Sequence, residues 1–524
     1  MAKILITDGF ADEGIAILQQ GGHQIENRKV GADELPTIIG QYDALVVRSA
    51  TQVTGDVVKA GSPRLKVIGR AGVGVDNVDV PVSTDQGVIV MNAPLGNIVS
   101  ASEHTLGMIF AVARLIPQAY ARLAQGTWDK KSFTGVELHG KTLGIVGLGK
   151  IGKHVAQVLQ AAGMTVVAYD PFLSPEVAAE LRIESAELDD LLRRADFITV
   201  HTPLTEKTRN LINADRLRLM KRSARIVNVA RGGIIDETAL AEALRANVIA
   251  GAALDVFAEE PLPKSSPLHG LPNCILTPHL GASTEEAQVK VSVDIANQLN
   301  QYFDSGKIVN AVNVHLRVDP AIDAYLHAAQ VLGAALAQTL EEPLLGLEVI
   351  ARGDLATYDT RPLGVAALKG ALSQISDQVV NFVNAQKIAE ERGIAITSSS
   401  SEQLQKGWND QLTIRATTAT GGHAIGGSVI NGQLRVLRYA DYPVDLPVGA
   451  HLLVMEYPDR PGMVGKYGSI LGENRINIAR MEVSRIDGRG DALVILTLDD
   501  PVPGHVFDRI KSAVGTTRAY LISV

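Results

Sequence analysis

The sequence holds one cysteine in 524 residues, Cys274. No disulfide can form within the chain, and an isolated cysteine of this kind reads as a small buried apolar side chain. No stretch reaches about 18 uninterrupted apolar residues, so no membrane-spanning helix is expected. Positive charge is not in excess either: 49 Lys and Arg against 57 Asp and Glu leave a formal net charge of -8, with no global attraction for nucleic acid or an anionic membrane. Long polar tracts are missing, and 46% hydrophobic with 20% charged residues is the balance of an ordinary folded chain. The opening MAKILITDGFADEG lacks the three regions of a secretory signal. These absences predict a cytoplasmic protein with no nucleic-acid, membrane or metal partner.

What is present is repeated α/β patterning, in a chain long enough for about three or four domains. KILIT, DALVVRS, LKVIGRA and VIVMN alternate with helical segments up to Asn92, and TLGIV, VVAYD, FITVHTP, RIVNVAR, IAGAALDVF and CILTPH do so from Gly140. Alternation of this kind predicts parallel sheets, with the loops after the strands sharing one edge. Ser100 to Gln125 reads as one or two helices interrupted at Pro117, suited to a subunit interface. The helix after Ser283 is expected to return to the first unit, making it discontinuous. Residues 317–449 read as an α+β block, with helices at AYLHAAQVLGAALAQTL and GVAALKGALSQISDQVVNFVNAQKIAEERG. Residues 450–524 have the order βαββαβ. The expected boundaries are 1–95 and 285–316 for the first unit and 96–284 for the second.

Gly147-Leu-Gly149-Lys-Ile-Gly152 follows the strand TLGIV and precedes a helix. In that setting the glycines permit a tight turn, close approach of a pyrophosphate and close helix–strand packing, while the helix N-terminus attracts phosphate. The next strand ends in Asp170, a carboxylate that accepts from both ribose hydroxyls and repels a 2′-phosphate, so NAD is favoured over NADP. Three later strand-end loops carry Arg231, Glu260 and His279. Each has a bland reading alone. Together they fit oxidation of a 2-hydroxy acid: His279 as acid/base, Glu260 on its far ring nitrogen, and Arg231 on the substrate carboxylate. Glu260 is preferred to Glu259 because it adjoins Pro261, and Asp255 is placed against the nicotinamide carboxamide.

The run from Gly140 to Ser283, with GLGKIG, HTPLT, NVARGGIIDE, LDVFAEEP and TPHLGAST, resembles the D-isomer-specific 2-hydroxyacid dehydrogenases. That resemblance implies a Rossmann-type NAD-binding domain, doubly wound about a parallel sheet, inserted in a flavodoxin-like α/β substrate domain. It also implies NAD contacts at Lys150, Ile151, Thr202, Val229, Ala230, Gly281 and Ala282, besides the residues above. RSAT at Arg48, GRAGVGVDNVD from Gly69 and NAPLGNIVSASEHT from Asn92 are similar to loops of the members that convert 3-phosphoglycerate to 3-phosphohydroxypyruvate in serine biosynthesis. There Arg48, Arg70 and Asn97 look like substrate contacts, and Val73 stands where some relatives carry Thr. The arginines suit a phosphate; their bland reading is pairing with Asp76 or Asp79. The third block resembles the intervening domain of the long members, in which Arg435 and Arg438 read rather as exposed edge-strand arginines than as anion contacts. EYPDRPGMVGKYGSILGENRINIA makes the last block resemble an ACT domain, implying an L-serine effector at Tyr457, Asp459 and Asn477 and a dimer or tetramer. Dehydrogenation of an unphosphorylated acid and non-catalytic NADH sensing stay open as alternatives.

Overall fold

The computed structural model describes residues 1–314, 319–376, 378–404, 411–486 and 490–523. In the first unit β1 (Lys3–Ile6), β2 (Gln24–Asn27), β3 (Ala44–Val47), β4 (Val67–Arg70) and β5 (Ile89–Asn92) form a parallel sheet in the order β2-β1-β3-β4-β5. This is the flavodoxin-like arrangement. Its central strands are apolar because helices cover both faces; all four residues of β3 are buried. β2 escaped the sequence reading because QIEN is a half-exposed edge with a single apolar side chain. The helix Glu285–Ser305 returns here and buries Val291, Ile295, Ala296 and Leu299 in the same core as Ile4, Val46 and Met91.

The second unit contains β6 (Thr142–Val146), β7 (Thr165–Tyr169), β8 (Glu184–Ser185), β9 (Phe197–Val200), β10 (Arg225–Asn228), β11 (Gly251–Leu254) and β12 (Cys274–Leu276). All pair in parallel, in the order β12-β11-β10-β9-β6-β7-β8. The direction of winding reverses between β6 and β9, which opens the crevice where a doubly wound sheet binds ligand. The helical run after Asn97 is two helices, Ile98–Arg114 and Ile116–Ala124. They break at Leu115, whose φ of 54° is left-handed; Pro117 lies in the first turn of the second helix, where a missing N–H costs nothing.

Cys274 is half-buried on the outer strand β12, and burial pushes its thiol up to about 12. At pH 8 only about one thiol in ten thousand is then ionised, and thiolate is the reactive species. A thiol-disulfide reagent is expected to label the native protein much more slowly than the urea-unfolded chain. Equal rates would contradict this burial.

The third block is built on β13 (Gly346–Arg352), β14 (Ala395–Ser401), β15 (Leu412–Thr417), β16 (Gly422–Ile430), β17 (Gln433–Tyr439) and β18 (Tyr442–Pro447), ordered β14-β13-β15-β16-β17-β18. The helices Asp323–Ala337 and Arg361–Ile375 meet at backbone distance: a Cβ on Gly370 would lie 1.9 Å from the Gln330 carbonyl oxygen. The segment read as one long helix from Gly364 is two, the second being Ala385–Glu391. Between them Asn381 and Asn384 side-chain oxygens accept from the Val383 and Asn381 N–H groups at 2.9 and 2.8 Å, a local alternative to helix. Arg435 and Arg438 are not on an edge, because β17 lies between β16 and β18. Arg435 pairs with Asp445 at 2.6 Å, and Arg438 is buried and donates to the Ala440 carbonyl at 2.9 Å.

The last block holds β19 (His451–Pro458), β20 (Ile478–Arg485), β21 (Asp491–Leu498) and β22 (Arg518–Ser523), ordered β20-β21-β19-β22 and antiparallel, with the helices Met463–Glu473 and Gly504–Val514 completing βαββαβ. Alternation along β19 sends Leu453, Met455 and Tyr457 into the core under these helices. Leu452 and Val454 go the other way, joining Leu493, Ile495 and Ile522 in the core of the third block. The boundary read at residues 316 and 317 lies outside the described residues. No helix among them is long and apolar enough to cross a membrane.

Candidate active site

The glycine loop gives each glycine a distinct physical reason. Gly147 has φ of 95° and donates to the Tyr169 carbonyl at 2.8 Å, closing the turn after β6. A Cβ on Gly152 would lie 2.4 Å from the Gly147 carbonyl oxygen, so helix Lys150–Ala161 can approach β6 only without a side chain there. Around Gly149, by contrast, a Cβ would meet nothing within 4 Å. Gly149 caps the helix with no side-chain hydrogen bond, so the first N–H groups, from Lys150 and Ile151 onward, face this space. Asp170 accepts from the Leu148 and Phe172 N–H groups, both at 2.8 Å, leaving lone pairs for ribose hydroxyls. Thr202, across the crevice on the loop after β9, has a buried hydroxyl with no partner among the described residues. An open cradle, a helix terminus, a carboxylate with spare capacity and an orphaned hydroxyl fit a dinucleotide.

The loops after β10, β11 and β12 carry the three expected reacting residues. His279 Nδ1 lies 2.6 Å from Glu260 Oε2, and Glu260 Oε1 accepts from the Phe257 N–H at 3.0 Å. Burial works against charge on Glu260, but the hydrogen bonds from His279 and Phe257 outweigh it and hold the carboxyl below its ordinary range. Glu259 has no such contact. Arg231 extends toward the first unit, where its Nε lies 2.9 Å from Asp76 Oδ2, while a terminal nitrogen donates to the Ala230 carbonyl at 2.7 Å.

Asp255 is tied into the loop that follows β12. Its side chain is fully buried and accepts from the Thr277 hydroxyl at 2.6 Å and the Leu280 and Gly281 N–H groups at 2.8 Å, with His104 Nε2 at 3.1 Å. Three of these partners sit on Oδ1 and one on Oδ2, so Asp255 clamps the loop from Thr277 to Gly281 and keeps acceptor capacity on Oδ2. His104 was missed by sequence reasoning, as was buried Asn228, which accepts from the Ala230 N–H and donates to the Arg231 carbonyl. Glu237 was missed too; it accepts from the Ala258 N–H. Val229 and Gly281 are buried side by side: a Cβ on Gly281 would lie 3.0 Å from Val229. Ala282 is half-buried at the exit of the loop.

Of the expected substrate residues, Arg70 is mostly buried. Burial first, then the neighbouring Arg231 and Arg48 charges, lower its guanidinium to about 10, with Asp76 and Asp8 opposing. Its Nε is an orphan, as is the buried side-chain oxygen of Asn97. Neither Arg48 nor Arg70 pairs with Asp76 or Asp79: Asp76 pairs with Arg231, and Asp79 caps the helix Val80–Asp85. Val73 offers its carbonyl to Asn92 at 2.6 Å. Unpartnered buried polar atoms are costly; the Arg70 N–H is a donor that suits an anion, and the Asn97 oxygen is an acceptor that suits a hydroxyl.

The expected effector residues are not brought together within one chain. Tyr457 is buried in its own domain's core, edge-on to Tyr467 with ring centroids 6.2 Å apart, so it is withdrawn from the expected site by the inward alternation of β19. Asp459 pairs with Arg485 at 2.8 Å and Asn477 donates to Asp499 at 2.7 Å. Because Asp459 bonds at Gly490 and Asn477 at Asp499, the two ends of β21, Asn477 and Asp459 lie at opposite ends of the sheet, roughly 30 Å apart at strand rise.

Family models match the chain in three places: the D-isomer specific 2-hydroxyacid dehydrogenase NAD-binding domain at residues 106–281, the D-3-phosphoglycerate dehydrogenase intervening domain at 321–438, and the ACT domain at 451–515. The chain is 44% identical to the D-3-phosphoglycerate dehydrogenase of Synechocystis sp., covering 100% of this chain and 95% of that one. Identity to the enzyme of the same name from Methanocaldococcus jannaschii is 42%, covering 98% of each. Among solved structures, the D-lactate dehydrogenase of Aquifex aeolicus complexed with NAD and lactic acid superposes with a TM-score of 0.52 at 26% identity, over 59% of this chain and 98% of that one. The chain is an NAD-dependent oxidoreductase of the D-isomer-specific 2-hydroxyacid dehydrogenase family, in its D-3-phosphoglycerate dehydrogenase branch with intervening and ACT domains.

Proposed function

We propose that the chain oxidises 3-phosphoglycerate to 3-phosphohydroxypyruvate, the entry to serine synthesis. NAD, held by the Gly147–Gly152 loop and by Asp170 through its ribose, supplies the hydride acceptor. Arg231 holds the substrate carboxylate and polarises C2, and Arg48, Arg70 and Asn97 hold the phosphate end. His279 removes the hydroxyl proton through Nε2, since Nδ1 is committed to Glu260, whose charge stabilises the imidazolium as it forms. The observation that carries this reading is the His279–Glu260 hydrogen bond of 2.6 Å at the cleft, with no partner for Nε2 among the described residues. Residues 1–95 with 285–316 serve as the substrate domain and 96–284 as the NAD domain. Pro94 and Gly281 are the hinge points between them.

The chain works as a homo-oligomer. The helix Ile116–Ala124 buries none of its residues, and Phe110, Ile116, Tyr120, Leu123 and Trp128 are exposed, an apolar surface suited to a second copy. L-serine is the proposed effector. The separation of Asp459 from Asn477 means that one ligand reaches both types of residue only between two copies of the ACT domain. Steady-state NADH formation from 3-phosphoglycerate, with and without millimolar L-serine, tests substrate and regulation together. The expected result is turnover that serine suppresses. Turnover insensitive to serine would remove the effector assignment, and activity confined to other hydroxy acids would overturn the substrate.

A further inference from the structure

The ion pair between Asp76 and Arg231 crosses the cleft: Asp76 follows β4 in the first unit and Arg231 follows β10 in the second. Asp76 Oδ2 takes the guanidinium Nε at 2.9 Å, and the Asp76 side chain is 67% exposed against 29% for Arg231. The acid therefore stands on the solvent side of the arginine. The guanidinium also rests against Gly74, where a Cβ would fall 1.8 Å from a terminal nitrogen. Another terminal nitrogen is held by the Ala230 carbonyl. Asp76, with Asp8, also opposes the joint effect of Arg231 and Arg48 on Arg70, and Asp76 is the one of the two acids paired to Arg231.

We infer that Asp76 is a resident counter-ion that competes with substrate: its carboxylate holds Arg231 where a substrate carboxylate binds, so a ligand must displace it. The inference rests on the proposed role of Arg231. A small monoanion gains one arginine and loses the Asp76 pair, whereas a ligand with both carboxylate and phosphate engages the whole cluster. The resident acid therefore weakens binding of every anion that reaches Arg231, 3-phosphoglycerate included. Because the pair is largely exposed, its effect is modest; exposed pairs are worth at most about a factor of five in an equilibrium constant.

Calorimetric titration of the full-length protein, loaded with NADH, with 3-phosphoglycerate tests this on Asp76→Asn, Asp76→Glu, Arg231→Gln and the Asp76→Asn/Arg231→Gln pair. Asp76→Asn is expected to tighten binding roughly two- to five-fold, and Asp76→Glu, which keeps the charge, to stay near the parent. Arg231→Gln should weaken binding and abolish the gain from Asp76→Asn, the signature of coupled residues. Unchanged or weaker binding in Asp76→Asn, with Arg231→Gln weakened, overturns the role of Asp76 and leaves that of Arg231. Unchanged binding in Arg231→Gln overturns the role of Arg231 itself.

Discussion

Replacing His279 with Ala is expected to lower turnover in NADH formation by a factor on the order of a hundred or more while leaving NAD affinity near the parent value. The loop that carries His279 is fixed independently of its side chain, through the Leu280 and Gly281 N–H groups on Asp255 and the His279 N–H on the Asp255 carbonyl at 2.8 Å. Truncation therefore removes the imidazole without removing the loop. Glu260→Gln keeps an acceptor for Nδ1 but loses the negative charge, so its turnover should fall less than that of His279→Ala. Steady-state rates, with NADH binding measured by fluorescence, separate the two effects. Near-normal turnover in a folded His279→Ala protein would remove His279 from the acid/base role.

The second large effect is expected at Gly149. Its φ of -70° and ψ of -164° are open to any L-residue, and an added methyl would touch nothing within 4 Å. Gly149→Ala should therefore melt within a few degrees of the parent, since the conformational cost of this change is small. The methyl would instead stand in the space proposed for the pyrophosphate. NAD affinity is expected to drop tenfold or more, equivalent to about 1.4 kcal/mol. Gly152→Ala is the contrasting control: its methyl collides with the Gly147 carbonyl, so stability and affinity should fall together. A Gly149→Ala protein that binds NAD as tightly as the parent would show that this space is not the pyrophosphate site.

The parallel strands were legible because burial on both faces demands unbroken apolar runs, as in ALVV and FITV. The glycine loop was legible because each glycine answers a separate local need. Edge strands were not: the exposed residues of AITSSSS carry no apolar pattern, and that strand exists only through its parallel ladder with β13. The inward turn of Tyr457 depends on the alternation phase of β19, which HLLVMEYP alone leaves open. Asp255 illustrates another limit. Sequence placed it at the right sheet edge, but its partners include His104, from a helix about 150 residues earlier, and the backbone of a loop whose path no motif describes. Asp76 was likewise read as a neighbour for Arg48 or Arg70, because local sequence cannot show which arginine of the opposite wall comes within reach.

The shared core of the two C-terminal blocks bears on truncated chains. Leu332, Ala335, Ile425, Val436 and Tyr439 face Leu452, Val454, Ile495 and Ile522 in one cluster. A premature stop near residue 450 would thus not leave a simplified, well-folded enzyme. It would strip an apolar wall from its covering and leave β17 and β18 beside solvent-exposed hydrocarbon, a surface prone to self-association. If L-serine is the effector proposed above, strains selected for resistance to it should accordingly carry point substitutions in this region more often than nonsense mutations.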